Sequence, residues 1–303
     1  MMTTEPLLHI LDLYKAYEGK MVLDNIDLSV RETEFCTLVG PSGSGKSTLL
    51  RMVLGQELPS SGTIAIQGRP VGFPDPSRGI VFQRYSLFPH LTVLQNVTLG
   101  PSLGAGLVDG WRRRAALRDE ALHYLERVRL ADHANKYPHE LSGGMQQRVA
   151  IAQSLIMKPP ILLMDEPFGA LDPDTREEMQ IFLLELWDEA RMTLFFVTHD
   201  LGEAVYLGTR ILVLSQYYTD GRGDGPQVQR GAKLVADIQL PRVAASSEVK
   251  NRPEFTELVQ HIRQVGFDPD YRRHVREFNL SHPDAFRTLT PEESGPDAGA
   301  GAA

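Results

Sequence analysis

Apolar and polar residues change rhythm along this chain. Over residues 8–14 and 22–30 they roughly alternate, the period-two pattern of half-exposed antiparallel strands, and residues 63–67 add another short strand. Residues 35–39, 80–82, 161–164, 194–198 and 211–214 are instead short, nearly continuous apolar runs, the pattern of parallel strands covered on both faces. Helical stretches separate most of these runs. Residues 111–130, rich in Arg, Ala, Leu and Glu, predict one helix and 142–157 a second, so about 84–160 reads as a helical subdomain inserted into a sheet-bearing core. Beyond residue 214 the run Asp-Gly-Arg-Gly-Asp-Gly-Pro at 220–226 predicts an exposed loop, and 255–265 an amphipathic helix. The fold class is therefore α/β: a mainly parallel sheet, an N-terminal antiparallel β subdomain and an inserted α-helical subdomain. The expected partition is a main domain over 7–240, a short helical extension over 241–290 and a disordered Gly, Ala and acid tail over 291–303. No internal repeat is visible.

Composition narrows the field of functions. With 303 residues, 42% of them hydrophobic and 23% charged, the chain has the makings of a sizeable core. A formal net charge of −8 argues against broad nucleic-acid binding, so no nucleic-acid partner is expected. The single cysteine, Cys36, lies in the apolar run at 35–39 and has no partner for a disulfide. It reads as a small buried strand residue rather than a reactive thiol, and the chain as one of a reducing compartment. Residues 1–10 contain Glu5 and no Lys or Arg, which is unlike a signal peptide, and no window reaches the ~20 apolar residues of a membrane span. Work at a membrane would have to pass through a partner.

Candidate chemistry begins after the run at 35–39. Gly40, Pro41, Ser42, Gly43, Ser44, Gly45, Lys46 and Ser47 fit G-x-x-x-x-G-K-[ST], and from Thr48 onward the pattern is helical. Glycines let successive backbone N–H groups turn inward on phosphate oxygens, and the following helix adds its positive end. That end contributes only ~0.3–2 kcal/mol, so Lys46 on the β- and γ-phosphates and Ser47 on Mg²⁺ must supply the rest of the grip on a nucleoside triphosphate. Tyr17, near the end of the first predicted strand, offers an aromatic face for adenine, with Tyr14 as the alternative. Stacking tolerates any base, so base discrimination should be modest.

Asp165 and Glu166 close an apolar run at 161–164, an expensive place for charge unless a cation or a reaction needs it. Neighbouring strand residues face opposite ways, which predicts separate tasks: Asp165 for Mg²⁺, Glu166 for the water that attacks the γ-phosphate. His199 and Gln83 each follow an apolar run directly. Open parallel sheets bind ligands at the carboxyl ends of their strands, so both residues are expected in the same cleft as Lys46 and Glu166. Finally, Leu141-Ser142-Gly143-Gly144-Met145-Gln146-Gln147 opens a helix with a good N-cap and uncovered backbone N–H groups, a second anion-binding helix start.

With these segments in this order, together with Gly169-Ala170-Leu171-Asp172, residues 7–214 resemble the nucleotide-binding subunit of an ATP-binding cassette transporter. LSGG is nearly private to that superfamily. The resemblance implies a P-loop NTPase core that binds ATP and Mg²⁺, with Ser47, Gln83 and Asp165 serving the metal and Lys46, Glu166 and His199 serving hydrolysis. It also implies a dimer with a second copy of the chain, in which Ser142, Gly143, Gly144, Gln146 and Asp172 act in trans on the nucleotide held by the other copy. Membrane permease subunits would dock near residues 84–93, a solute-binding protein would complete the system, and the chain would sit at the cytoplasmic face of the cell membrane.

Pro167-Phe168-Gly169-Ala170-Leu171-Asp172 and Thr198-His199-Asp200-Leu201-Gly202-Glu203-Ala204 are similar to importers of the nitrate, sulfonate and taurine group. The irregular stretch at 216–231 and the polar extension beyond 246 depart from it. An exporter subunit and a soluble, non-transport cassette ATPase stand as alternatives. A P-loop kinase or GTPase fits less well, since LSGG has no role there and Asn135-Lys136-Tyr137 is followed by Pro138 where N-K-x-D needs an acid.

Overall fold

The computed structural model describes residues 6–75, 78–83, 86–104, 107–223, 228, 230–240 and 247–280. Two compact units emerge, one from residues 1–74 with 195–303 and one from 75–194. In chain order the elements begin with β1 (Leu8–Tyr17), β2 (Lys20–Val30), β3 (Phe35–Val39), α1 (Lys46–Leu54), β4 (Ser61–Ile66) and β5 (Arg69–Pro70). There follow β6 (Arg78–Phe82), α2 (Val93–Gly104), α3 (Leu107–Arg127), α4 (Gly143–Leu155), β7 (Ile161–Asp165), α5 (Pro173–Ala190) and β8 (Thr193–Val197). The chain ends with α6 (Leu201–Leu207), β9 (Arg210–Ser215), β10 (Tyr218–Thr219), β11 (Lys233–Gln239), α7 (Pro253–Phe267), β12 (Arg273–His274) and β13 (Asn279–Leu280).

The first unit holds an antiparallel sheet ordered β2-β1-β4-β5 and a mixed one ordered β13-β11-β9-β3-β8. Strand β3 runs parallel to β9, while β11 returns antiparallel to β9. The apolar runs are buried throughout, as their lack of alternation requires: every residue of β3, β8 and β9 is covered. Strand β2 departs from expectation. Its alternation predicts a half-exposed strand, yet residues 23–30 are all buried. Two of its acids find protein partners instead of water, while the Oδ1 of buried Asn25 has no hydrogen-bond partner. Asp24 accepts from the Tyr218 hydroxyl at 3.0 Å and from Arg222 at 2.7 Å, and Asp27 accepts from the Asp12 N–H at 2.7 Å.

The loop predicted as exposed at 220–226 also differs at its start. Asp220 is buried, accepting from the Arg222 N–H at 3.0 Å and from Arg230 at 3.0 Å. Residues 224–227 and 229 lie outside the described residues. Strand β11 is not legible as a strand in the sequence, because Lys233 and Asp237 interrupt its apolar run. Both are buried: Asp237 grips the Arg210 guanidinium with two hydrogen bonds of 2.8 and 2.6 Å. Helix α7 falls where amphipathicity puts it and drives Ile262 and Val265 into a core shared with Val39, Leu201, Ala204, Ile211 and Val213. The remainder of the extension at 241–246 and 281–290, and the tail at 291–303, lie outside the described residues.

The second unit carries the parallel pair β6 and β7, with Phe82 opposite Asp165, and the helices α2 to α5. The Ser154 hydroxyl on α4 donates to the Ile80 carbonyl of β6 at 2.8 Å. Helix α2 escapes the periodicity, yet Thr92 and Gln95 cap it reciprocally, Thr92 N–H to Gln95 Oε1 at 2.9 Å and Gln95 N–H to Thr92 Oγ1 at 3.3 Å. Among the described residues no helix is long and apolar enough to cross a membrane.

Candidate functional site

In the first unit the glycine-rich loop at 40–47 is shaped by contacts only glycine tolerates. A Cβ on Gly40 would stand 2.1 Å from the Leu214 carbonyl oxygen, and Gly45, at φ 89°, would bring one within 2.7 Å of Leu23 Cδ2. Gly43 supplies another left-handed turn at φ 80°. Pro41, Ser42 and Ser44 complete the loop, and α1 starts at Lys46 with no side chain capping its first turn. The N–H groups at Lys46, Ser47 and Thr48 therefore point out of a helix start, as an anion needs. Lys46 is buried, and its ammonium donates to the Gly40 and Pro41 carbonyls at 2.8 and 3.0 Å, which fixes the charge inside the loop. The Ser44 hydroxyl is buried without a hydrogen-bond partner, an open valence in a cradle of donors that suits a phosphate oxygen.

His199 follows β8, the sheet neighbour of β3, so it leaves the same strand end as the loop. Its backbone is held on both sides. Buried Thr198 donates to Glu203 Oε2 at 2.7 Å and accepts from the Asp200 N–H at 3.0 Å, while Asp200 caps α6 by accepting from the Glu203 N–H at 3.1 Å. His199 itself is exposed. Tyr17, at the end of β1, is also exposed. Cys36, just before the loop, is fully buried, and burial pushes its thiol well above the ordinary value, so it stays protonated and inert.

The second unit gathers the other residues. Gln83 and Glu166 follow β6 and β7, and the parallel register sets them at one level. Strand alternation does not separate Asp165 from Glu166, as the sequence suggests it should. The strand ends at Asp165, and Glu166 takes a left-handed backbone, φ 46°, which turns the chain and redirects its carboxylate. Gly169 lies against Gln83, whose Nε2 is 2.7 Å from where a Cβ would stand, and its N–H donates to the Glu166 carbonyl at 3.1 Å. Gln83 and the acidic turn are thus brought together.

Ser142 caps α4, accepting from the Met145 N–H at 3.3 Å, and Gln146 donates to the Leu141 carbonyl at 3.2 Å. Gly143 and Gly144 open the helix. A Cβ on Gly144 would be 2.6 Å from Thr175 Cγ2, so this glycine lets α4 close on α5. Asp172 caps α5 through the Thr175 N–H at 3.0 Å, a bond that lowers its pKa. Thr175 therefore ties the start of α4 to Asp172, a link with no sequence signal of its own. Asn96 is another residue that nothing in the sequence singles out. Buried on α2, its amide donates to the carbonyls of Phe88, Leu91 and Thr92 at 3.1, 3.1 and 3.0 Å and accepts from the Phe88 N–H at 2.8 Å. It fixes residues 88–92, within the stretch expected to dock a permease; Arg84 and Tyr85 of that stretch lie outside the described residues.

The profile of one protein family, described as ABC transporter, matches residues 23–169. The nitrate import ATP-binding protein NrtD of Synechocystis sp. strain PCC 6803 is 43% identical over 262 residues, covering 85% of this chain and 94% of the relative. The taurine import ATP-binding protein TauB of Rhizobium johnstonii is 40% identical over 265 residues, covering 85% and 94%. Among solved structures, a bacterial ABC transporter cassette described as dimeric aligns with TM-score 0.57 at 37% identity, covering 68% of this chain and 93% of that one. The same cassette bound to ADP and Pi aligns with TM-score 0.56 at 36% identity, covering 68% and 93%.

Proposed function

Because this chain belongs to the ABC transporter family, as an ATP-hydrolysing cassette, we propose that it powers solute import through separate membrane subunits. The observation that carries the reading is the pair of unlike anion-binding helix starts: one built around a buried lysine at Lys46, one around the Ser142 cap. In this reading head-to-tail pairing of two copies brings one of each to each of two ATP molecules. Nitrate- and taurine-import relatives that match nearly end to end support an importer of the nitrate, sulfonate and taurine type.

In this reading Lys46 and the loop N–H groups hold the β- and γ-phosphates, and Tyr17 takes the base. The donor set suits a hard divalent cation: a hydroxyl at Ser47, a carboxylate at Asp165 and an amide oxygen at Gln83, with phosphate oxygens and water for the remaining positions. Mg²⁺ bound there would neutralise charge developing on the phosphate oxygens. Glu166 accepts a proton from water as its oxygen bonds to the γ-phosphorus; the bond to the β–γ bridging oxygen breaks, leaving ADP and phosphate. His199 orients the γ-phosphate. Ser142, Gly143, Gly144 and Gln146 of the second copy cap it, and Asp172 lies along the interface. Permease subunits dock near residues 84–93, and the chain sits at the cytoplasmic face of the cell membrane.

Glu166→Gln keeps the shape and removes the base. It is expected to bind Mg·ATP, accumulate as a dimer in light scattering, and hydrolyse at least ~100-fold more slowly. A variant that stays monomeric at saturating Mg·ATP would remove the paired-copy reading.

A further inference from the structure

Tyr17 is 38% exposed, yet it is not a free rotor. Its hydroxyl is hydrogen-bonded to the Glu57 carboxylate and to the Thr48 hydroxyl. Lys15 places its ammonium 4.8 Å from the ring centroid, on one face. That lysine is itself pinned, 3.0 Å from Glu57 Oε1 and 2.8 Å from the Leu58 carbonyl to which it donates. Arg51 on α1 approaches the other Glu57 oxygen at 3.7 Å. One carboxylate thus fixes both the tyrosine and the cation beneath it. Thr48 and Arg51, which share the cluster, lie in the first two turns of the helix that begins at Lys46, so the ring is referenced to the phosphate loop by covalent structure.

Resting on the proposed ATP-binding role, we infer that Glu57 is a positioning residue for base recognition: it locks Tyr17, with Lys15 under one face, into a one-sided platform before nucleotide arrives. The ordering cost a loose aromatic would levy on binding is met during folding, and only the face away from Lys15 is open to a base. The charge state suits this. Burial draws the Glu57 carboxyl upward, but hydrogen bonds from Tyr17 and Lys15 outweigh it and hold it below the usual carboxylate range, so the hub is ionised at neutral pH. Burial and the bond to Glu57 push the Tyr17 hydroxyl above its ordinary value, so it remains a donor.

The test separates base from phosphate. Calorimetric titration of the full chain with a non-hydrolysable ATP analogue and with inorganic tripolyphosphate, which has no base, is compared for Glu57→Ala and the unaltered protein. Glu57→Ala is expected to weaken the analogue about two- to tenfold, the equivalent of releasing one or two ordered side chains, and to leave tripolyphosphate unchanged. Glu57→Gln, which keeps an acceptor for the Tyr17 hydroxyl, recovers part of the loss. In a Tyr17→Ala background the Glu57 effect disappears. Equal weakening of both ligands, or an effect that persists without Tyr17, overturns the inference. If Glu57→Ala does not fold, Tyr17→Phe asks the same question by removing only the held hydroxyl, and an unaltered analogue affinity in that variant overturns it equally. Failure of the unaltered chain to bind either ligand would instead sink the ATP-binding reading itself.

Discussion

Single residues here serve contacts that their motif names do not suggest. Gly144 reads in sequence as a gap through which a phosphate meets backbone N–H groups, but its hydrogen atoms also face Thr175 Cγ2, 2.6 Å from where a Cβ would stand. Two effects compete at this position. Alanine favours a helix by up to about 1 kcal/mol, less here because Gly144 is the second residue of α4, while forcing a methyl group into a filled contact costs about 1–3 kcal/mol. Gly144→Ala is therefore expected to leave stability unchanged or lower it by up to about 2 kcal/mol in urea unfolding. In a Thr175→Ala background the same change should stabilise by a few tenths to about 1 kcal/mol. Loss of this sign reversal would show that α4 and α5 adjust freely. Glu166 carries a related lesson. Its left-handed backbone is one that L-residues hold only at a cost of about 1–2 kcal/mol, so the acid is kept there against local preference, at the turn where a reacting water is expected.

At the scale of elements, charge decides what periodicity cannot. The stretch after β10 has the composition of a solvated loop, yet Asp220 is buried between Arg222 and Arg230, and Arg222 bridges on to Asp24 of β2. Burial alone would raise the Asp220 pKa, but hydrogen bonds from Arg222 and Arg230 outweigh it and lower the value to about 2. An acid depressed in the folded state stabilises it whenever ionised in both states. That contribution, about 2 kcal/mol, is complete above about pH 4 and is lost as the pH falls towards 2. Wild-type stability measured by denaturant titration should decline through this window by that amount more than Asp220→Asn, which has no proton to gain. Parallel pH profiles for the two proteins would exclude the buried pairing. The same network helps explain why β2 looks half-exposed in sequence and is covered over residues 23–30: Asp24 meets arginine and tyrosine rather than water.

For the molecule as a whole, helix α7, within the stretch beyond residue 246, packs into the first unit's core. Ile262 of α7 is fully buried beside Val39, which ends the strand feeding the phosphate loop, and beside Leu201 and Ala204 of the helix after His199. Ile262→Ala is expected to destabilise the chain by about 2–4 kcal/mol in guanidinium unfolding, although it lies beyond residues 23–169, which the family profile matches. A change below about 0.5 kcal/mol would mean α7 only rests on the surface. Much of the fold is legible in the linear order of residues. The apolar runs become strands within a residue or two; those of β3, β8 and β9 are buried on both faces, whereas β6 leaves Ile80 and Phe82 half-buried. The glycine loop, Ser142 and the acid pair stand out because phosphate chemistry needs those residue types at fixed spacing. Strand β11, the covered face of β2, Asn96, Thr175 and the Glu57 cluster do not. Most of these depend on a buried polar group whose partner is distant in sequence, Arg210 for Asp237 or Tyr218 for Asp24. A charged residue reads as solvent-facing until the chain has folded an opposite charge against it. The sequence alone determined the continuous apolar strands of the core and the phosphate-loop pattern, which are local in period and spacing; tertiary structure alone decided the place of β11 and which polar groups were buried, because those depend on pairs the linear order does not bring together.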